Sequence, residues 1–313
     1  MPELPEVETV VRGLRLSLPG HSVVEVRFGK SEFVDNPGEI SERLPGMRFA
    51  EVTRLGKYIC IGLQATLPSA ESQTSPYPFY LIVHLGMTGR LTVISSGEPV
   101  APHTHVFFAL DDGRELRYTD IRRFGRMLLI PASKLADFTS HLGKEPLEIS
   151  ADEFCRDLGL RRARIKALLL DQGVLRGVGN IYADESLFRA RVHPARLAQS
   201  LTQEQLLVLH RALRTVLEEA ILLRGSSISD YRDSEGKRGE FQQRHRIYQR
   251  DGKLCFRCMA VVRRTIVAGR SSHFCPKCQP APRSPKKKLQ PRKHTDKHRL
   301  KKDKKITKRK KGR

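Results

Sequence analysis

Four cysteines near the C-terminal end limit what this chain can fold into more than any other stretch does. They read Cys255-x2-Cys258, then sixteen residues, then Cys275-x2-Cys278. This is four-cysteine ribbon spacing: each pair can bite one metal ion from a tight turn, and Val261–Ser272 is the right length for a two-stranded hairpin. Four thiolates favour a closed structural zinc site over a catalytic one with an open position, with an iron centre as the minor alternative. The two remaining cysteines stand alone. Cys60 lies in the apolar run Tyr58-Ile59-Cys60-Ile61 and Cys155 in a predicted helix, and both read as reduced packing residues.

The opposite end carries a second signal. Met1-Pro2-Glu3-Leu4-Pro5-Glu6-Val7-Glu8 precedes an amphipathic pattern in which Val7, Val10, Val11 and Leu14 share one face. Pro5 suits a first helical turn, and Glu6 and Glu8 complement the positive end of the helix. Methionine is commonly removed before a residue as small as proline, which would expose Pro2 as a secondary α-amine. An α-amine has a reference pKa near ~7.7–8.0 against ~10.4 for lysine, so far more of it is unprotonated at neutral pH. Proline is somewhat more basic, so that advantage is an upper bound. Pro2 is therefore a candidate Schiff-base nucleophile with Glu3 as a neighbouring acid. A helix start that merely happens to be Pro-rich is the alternative.

Between these ends the chain divides by periodicity. Residues 22–28, 47–63, 79–94 and 105–130 are rich in β-branched and aromatic residues, with Asp112-Gly113 a two-residue hairpin turn. They predict an antiparallel sandwich or barrel over the first ~130 residues. Residues 64–78 read as a polar loop between two strands. From 133 the period becomes helical. Ser150-x-x-Glu153 and Thr202-x-x-Gln205 are capping boxes, the second opening a helix striped by Leu206, Leu209, Leu213, Val216, Leu217 and Ala220 and ending at Gly225. The glycine-rich stretch Asp171–Asn180 separates two helical segments. A helix beginning near Asn180 would offer its amides to an anion such as phosphate.

Charge narrows the class of partner. Residues 280–313 hold 17 Lys and Arg against two acids, Asp296 and Asp303, and the rest of the chain is also net basic. A basic body with a strongly basic tail points to a polyanion, most simply nucleic acid. No apolar run reaches the ~18 residues of a membrane span and no signal peptide precedes Pro2, so a cytoplasmic, nucleoid-associated, monomeric protein without a membrane partner is expected.

Several motifs in order resemble the bacterial formamidopyrimidine-DNA glycosylase family across residues 1–279. They are Pro2–Thr9, Leu55-Gly56-Lys57-Tyr58, His84-Leu85-Gly86-Met87-Thr88-Gly89, Tyr118–Gly125, Gly177-Val178-Gly179-Asn180-Ile181-Tyr182-Ala183 and the cysteine ribbon. The resemblance implies an α+β protein. An antiparallel β-sandwich flanked by helices (1–132) faces a helical lobe with a helix–two-turns–helix motif (133–242). A zinc-finger hairpin (243–279) with one structural Zn2+, ligated by Cys255, Cys258, Cys275 and Cys278, and a basic disordered tail (280–313) follow. It further implies a bifunctional glycosylase and AP lyase that removes oxidised purines from damaged double-stranded DNA. In that reading Pro2 attacks the sugar, Glu3 is the acid that assists ring opening, and Lys57 and Arg270 donate protons for β- and δ-elimination. His103, Arg122 and Arg161 fall where the family contacts DNA, Asn180 where it grips the phosphate near the lesion, and His84 and Tyr248 are weaker phosphate candidates. Met87, Arg122 and Phe124 correspond to the wedge that fills the vacated stack. Ile121 stands where proline is frequent, Arg161 replaces a common lysine, and the 64–78 insertion and the tail are extra and expected to lack structure. Two other functions remain in view: a related enzyme for oxidised pyrimidines, which Arg122-Arg123-Phe124 disfavours, and a non-catalytic zinc-ribbon DNA-binding protein, which has no need of Pro2, Glu3, Lys57 and Arg270.

Overall fold

The computed structural model describes residues 1–65, 77–228 and 231–282. Helix α1 (Leu4–Ser17) opens the chain and buries Val7, Val10, Val11 and Leu14, as their spacing predicts. It packs against one end of a β-sandwich made of β1 (Val23–Phe28), β2 (Met47–Leu55), β3 (Tyr58–Ala65), β4 (Phe79–His84), β5 (Arg90–Ser95), β6 (Thr104–Leu110), β7 (Arg114–Thr119) and β8 (Arg126–Pro131). One antiparallel sheet runs β1-β6-β7-β5 and the other β2-β3-β4-β8. Their inner faces meet through residues such as Phe49 and Phe108, whose rings stand edge to face at 6.3 Å. Where a two-residue turn was expected, three residues, Asp111, Asp112 and Gly113, join β6 to β7, and of these only Gly113 takes a positive φ (+80°), whereas a two-residue Asp-Gly turn needs it at both positions. A short helix α2 (Pro37–Arg43) interrupts the strands; seven residues with proline at the start carry too little period to be read from sequence.

The second lobe is helical: α3 (Leu135–Thr139), α4 (Ala151–Gly159), α5 (Ile165–Leu170), α6 (Asn180–Arg189) and α7 (Gln203–Leu222). Both predicted capping boxes form, Ser150 with Glu153 and Thr202 with Gln205, and the leucine stripe of α7 is buried. A hairpin of β9 (Arg263–Val267) and β10 (Arg270–Phe274) follows, with the four cysteines at its base. Cys60 is buried, its thiol pushed up to about 12 by burial, and Cys155 is half-buried on α4. Two strand and loop expectations shift. Gln64 and Ala65 belong to β3, and the rest of the expected 64–78 loop up to residue 76 lies outside the described residues, as does the tail from 283.

The N-terminal end of α1 sits on the seam between the two cores. Leu4 belongs to the helical-lobe core, whereas Val7 and the residues after it belong to the sandwich core. Arg54 fastens the seam: its Nη atoms donate to both Glu145 oxygens (3.1 and 2.9 Å) and its Nε to Glu8 (2.9 Å), while Arg176 also reaches Glu145 (3.2 Å). Glu8 is thus taken by Arg54 and Arg12 and does not serve the helix end as its position suggested. Glu6 does, accepting the Glu3 amide at 2.8 Å. Among the described residues no helix is long and apolar enough to cross a membrane.

Candidate active site

The first residues of α1 are aimed at the start of α6. The Leu4 amide donates to the Gly177 carbonyl at 2.9 Å, and Gly177 holds φ +90°, a conformation open to glycine. Two residues on, a Cβ on Gly179 would collide with the Glu3 carboxyl, so the glycine is what lets that carboxyl approach. Glu3 then accepts from the amides of Ile181 (3.1 Å) and Tyr182 (3.4 Å) in the first turn of α6. The sequence offered this helix start to an anion such as phosphate, and the amides of Ile181 and Tyr182 hold one that the chain itself supplies, the Glu3 carboxyl.

Burial raises the pKa of Glu3, with Lys57 and the two amides opposing the rise. Glu6 is pushed up to about 7 by burial first and by Glu3 second, against hydrogen bonds from the Tyr182 hydroxyl, the Ser226 amide and the Glu3 amide. Lys57, in the turn between β2 and β3, is nearly buried. Its pKa is lowered by desolvation, which the attraction of Glu3 only partly offsets. A carboxyl made more basic therefore faces a lysine made more acidic. Shifts in these opposite directions bring the two groups closer in proton affinity, as proton transfer between protein and substrate favours.

Pro2, Glu3, Lys57, Met87, Asn180, Tyr248 and Arg270 all line one cavity of about 570 Å³. Met1 stands half-exposed on its rim, and Pro2 itself is buried. Arg270 reaches the cavity because the β9–β10 hairpin is bolted to α5 and α6. Lys166 Nζ donates to the Ser271 carbonyl (2.7 Å) and the Ser272 hydroxyl (2.8 Å) and pairs with Asp184, which also receives the His273 amide (2.9 Å).

The other predicted residues take up different stations. Asp120 organises the 120–125 loop, accepting from the Thr88 hydroxyl (2.5 Å) and the Gly125 amide (2.9 Å), while Thr88 receives the Arg122 amide (3.1 Å). This packs the Met87 turn beside Arg122 and Phe124; the Arg122 guanidinium lies 4.6 Å from the Phe124 ring centre, and Phe124 is 57% exposed. His103 adjoins that loop through its carbonyl, which accepts the Asp120 amide at 3.0 Å. His84 lies behind the cavity on the Tyr58 ring, held neutral because burial and then Lys57 lower its pKa to about 4. Its Nδ1 accepts the Gly86 amide, which leaves Nε2–H as its one donor. Arg161 is exposed at the end of α4, beside a separate hollow with Lys144, Glu145 and Glu153.

Three residues that support the site were not singled out for it in the sequence: Glu6, which lines the cavity, and Lys166 and Asp184, which hold the hairpin that carries Arg270. A lysine inside the apolar run Ile165–Leu170 was the one available hint, since burying it demands an acid elsewhere.

The cysteine Sγ atoms all lie within 4.8 Å of one another, with Cys258–Cys275 at 3.4 Å and Cys255–Cys278 at 4.0 Å. Tetrahedral Zn–S bonds of ~2.3 Å require sulfur separations of about 3.8 Å, so the donor set fits one structural Zn2+.

Comparison with known proteins gives a consistent picture along the chain. Residues 1–127 match the family model described as the formamidopyrimidine-DNA glycosylase N-terminal domain, residues 142–232 its H2TH domain, and residues 252–281 the zinc finger found in FPG and IleRS. A formamidopyrimidine-DNA glycosylase of Herpetosiphon aurantiacus is 43% identical over 89% of this chain and 100% of its own. One from Heliobacterium modesticaldum is 45% identical with the same coverage. Among solved structures, a Lactococcus lactis FPG mutant in complex with Fapy-dG-containing DNA superposes with a TM-score of 0.80 at 31% identity, covering 90% of this chain and all of that one.

Proposed function

This chain belongs to the formamidopyrimidine-DNA glycosylase family, and from that membership together with the cavity at the start of α1 we infer that Pro2 is its nucleophile and Glu3 its acid. The protein is a zinc-containing DNA glycosylase with AP lyase activity that removes oxidised purines from damaged double-stranded DNA.

Chemistry on a stacked base requires the nucleotide to leave the duplex and enter a pocket. Once Met1 is removed, the Pro2 nitrogen attacks the anomeric carbon and the glycosidic bond breaks; the base departs with the bonding electron pair and takes up the proton that the amine loses. Glu3 assists by protonating the ring oxygen as the sugar opens to an iminium ion, the form a secondary amine gives. Burial raises the pKa of Glu3 above that of an ordinary glutamate, which makes it the better proton donor and acceptor for that step. Lys57, with its lowered pKa, serves β-elimination, and Arg270 serves δ-elimination at the other phosphate, leaving a one-nucleotide gap. Asn180 and Tyr248 hold the lesion's phosphate; His103 and Arg161 hold the backbone further out. His84 contacts phosphate only as a neutral donor. Met87, Arg122 and Phe124 fill the vacated stack. Residues 1–132, 133–242 and 243–279 act as sandwich, helical and zinc-finger domains, and the basic 280–313 segment adds sequence-independent affinity for DNA within the nucleoid.

The observation that carries this reading is the carboxyl of Glu3 fixed by two α6 amides next to Pro2, with Lys57 and Arg270 lining the same cavity. Borohydride trapping on duplexes bearing different lesions tests it. A covalent adduct is expected with oxidised purines and abasic sites, and a non-removable N-terminal tag should abolish it. Normal adduct yield from the tagged protein would refute Pro2 as nucleophile.

A further inference from the structure

A second hollow, of about 710 Å³, lies at the far end of α6 from the catalytic cavity. Asn180 at the start of this ten-residue helix lines the catalytic cavity, while Phe188 and Arg189 at its end line the hollow. The rise of a helix separates the two by about 15 Å. Arg189, Arg244, Arg246 and Arg257 surround it, and Glu219 is the one acid in its wall. Glu219 is already engaged by both Nη atoms of Arg189, at 2.9 and 2.5 Å. Arg257 is anchored by donating to the Phe188 carbonyl at 2.8 Å. Arg244 and Arg246 are exposed and feel Glu219 only through space, holding its pKa down after Arg189 has, with no close ion pair of their own among the described residues.

The floor is apolar where a soluble surface is normally polar. Leu222 is 81% exposed and Phe256 55%, with Leu223 between α7 and the hollow. Two arginines already lie on the Phe256 ring, Arg250 at 3.9 Å from its centre and Arg246 at 5.1 Å. A guanidinium stacked this way keeps its N–H edge free to fork a carboxylate, but it occupies the ring face a nucleic-acid base would need. A sugar-phosphate backbone would also leave Leu222 without a partner.

We propose that this hollow is a docking site for an acidic peptide segment of a partner protein, one carrying an aliphatic or aromatic side chain among its carboxylates. The carboxylates pair with Arg244 and Arg246, and the apolar side chain covers Leu222 and the part of Phe256 that the two guanidiniums leave exposed. The site is independent of the catalytic cavity, so docking and DNA repair proceed together on one molecule.

The test is fluorescence anisotropy of a labelled oligo-aspartate peptide ending in Leu-Phe, added to the full-length protein saturated with an abasic-site duplex. Binding is expected to persist under the duplex. It should weaken roughly tenfold in the Arg244→Glu/Arg246→Glu variant and in Phe256→Ser, each with unchanged lesion excision and zinc content. Arg244→Gln/Arg246→Gln should weaken it less, and serves if the charge reversal disturbs folding. A control peptide ending in Ser-Ser should bind more weakly. Equal binding of the two peptides, displacement by the duplex, or unaltered affinity in the variants would overturn the proposal. So would a single-stranded oligothymidylate that competes for the same face, since that would make it a nucleic-acid surface.

Discussion

Lys166 Nζ lies 2.7 Å from Asp184 Oδ1, and neither side chain has any solvent exposure. The pair is the pin that holds the β9–β10 hairpin against α5 and α6, because Lys166 also donates to Ser271 and Ser272 and Asp184 also accepts from His273. Desolvation lowers the lysine's pKa, and Asp184 only partly restores it.

Lys166→Met should leave the buried Asp184 carboxylate without its lysine and with only His273 beside it, at a cost of up to about 3–5 kcal/mol. Urea unfolding would measure this. Lys166→Met/Asp184→Leu should recover a large part of the loss, since a well-packed apolar pair replaces an ion pair at little cost. A double variant as unstable as the single one would show that the hydrogen bonds to β10, and not the charge, dominate. In both variants δ-elimination should fall more than β-elimination, because Arg270 rides on the hairpin and Lys57 does not.

Glu6 gives the fold a pH dependence of predictable sign. Its carboxyl is pushed from about 4.5 to about 7, mainly by burial and then by Glu3. Between those values the folded chain binds a proton that the unfolded chain has released. Stability therefore falls as pH rises through this window, by on the order of 3 kcal/mol from this group, and the loss is complete above the folded value. Unfolding curves at pH 5, 6, 7 and 8 should show the decline, and Glu6→Gln should flatten it. An equally steep decline in the variant would assign the effect to Glu3, whose shift has the same direction.

The ribbon at the C-terminal end has a core of only a few residues, Phe188, Ile247 and Val262 with the cysteines themselves. Cys275→Ser should release zinc and disorder the hairpin, because so small a module owes its folding to the metal. Metal analysis and protease sensitivity between residues 255 and 278 would check this. The variant should keep the sandwich and helical cores, so its far-UV spectrum should change little. Loss of the whole cooperative transition would mean that the hairpin supports the α6 end of the helical lobe more than its contacts suggest.

What the sequence made legible was local. The cysteine spacing, the capping boxes at Ser150 and Thr202 and the apolar faces of α1 and α7 each lie within a few turns of chain, and each appears where its spacing placed it. What the sequence left open lies where the partner is distant. The Gly-rich turn before Asn180 predicted an anion at the start of α6, but that the anion is Glu3, 178 residues earlier, is a fact of tertiary packing. Glu8 looked like a helix-end acid until Arg54 came alongside from β2. Periodicity reports which face a side chain occupies and carries no record of what the fold brings to meet it.

The last prediction concerns the base opposite the lesion. Arg122 is held by its backbone, its amide donating to Thr88 Oγ1 at 3.1 Å, while its guanidinium stacks on the exposed Phe124 ring. The side chain is thus presented as a flat fork beside Met87 at the rim of the catalytic cavity. We predict that it enters the vacated stack and donates to the orphan base. Cytosine offers two adjacent acceptors on its pairing edge, a match for two guanidinium donors. Adenine places an amine donor there, so one hydrogen would face another, at a cost of about 1–3 kcal/mol or roughly tenfold to a hundredfold in rate. Excision opposite adenine would fix a mutation, so the preference has a biological sense. Single-turnover excision from duplexes differing only in the opposite base should show cytosine favoured by the native protein and the ratio narrowed in Arg122→Ala. Phe124→Leu should narrow it less, because the backbone hydrogen bond to Thr88 still directs the arginine. An unchanged ratio in Arg122→Ala would shift the discrimination to Arg123, which the structure pairs with Glu32 and which would have to leave that partner to reach the base.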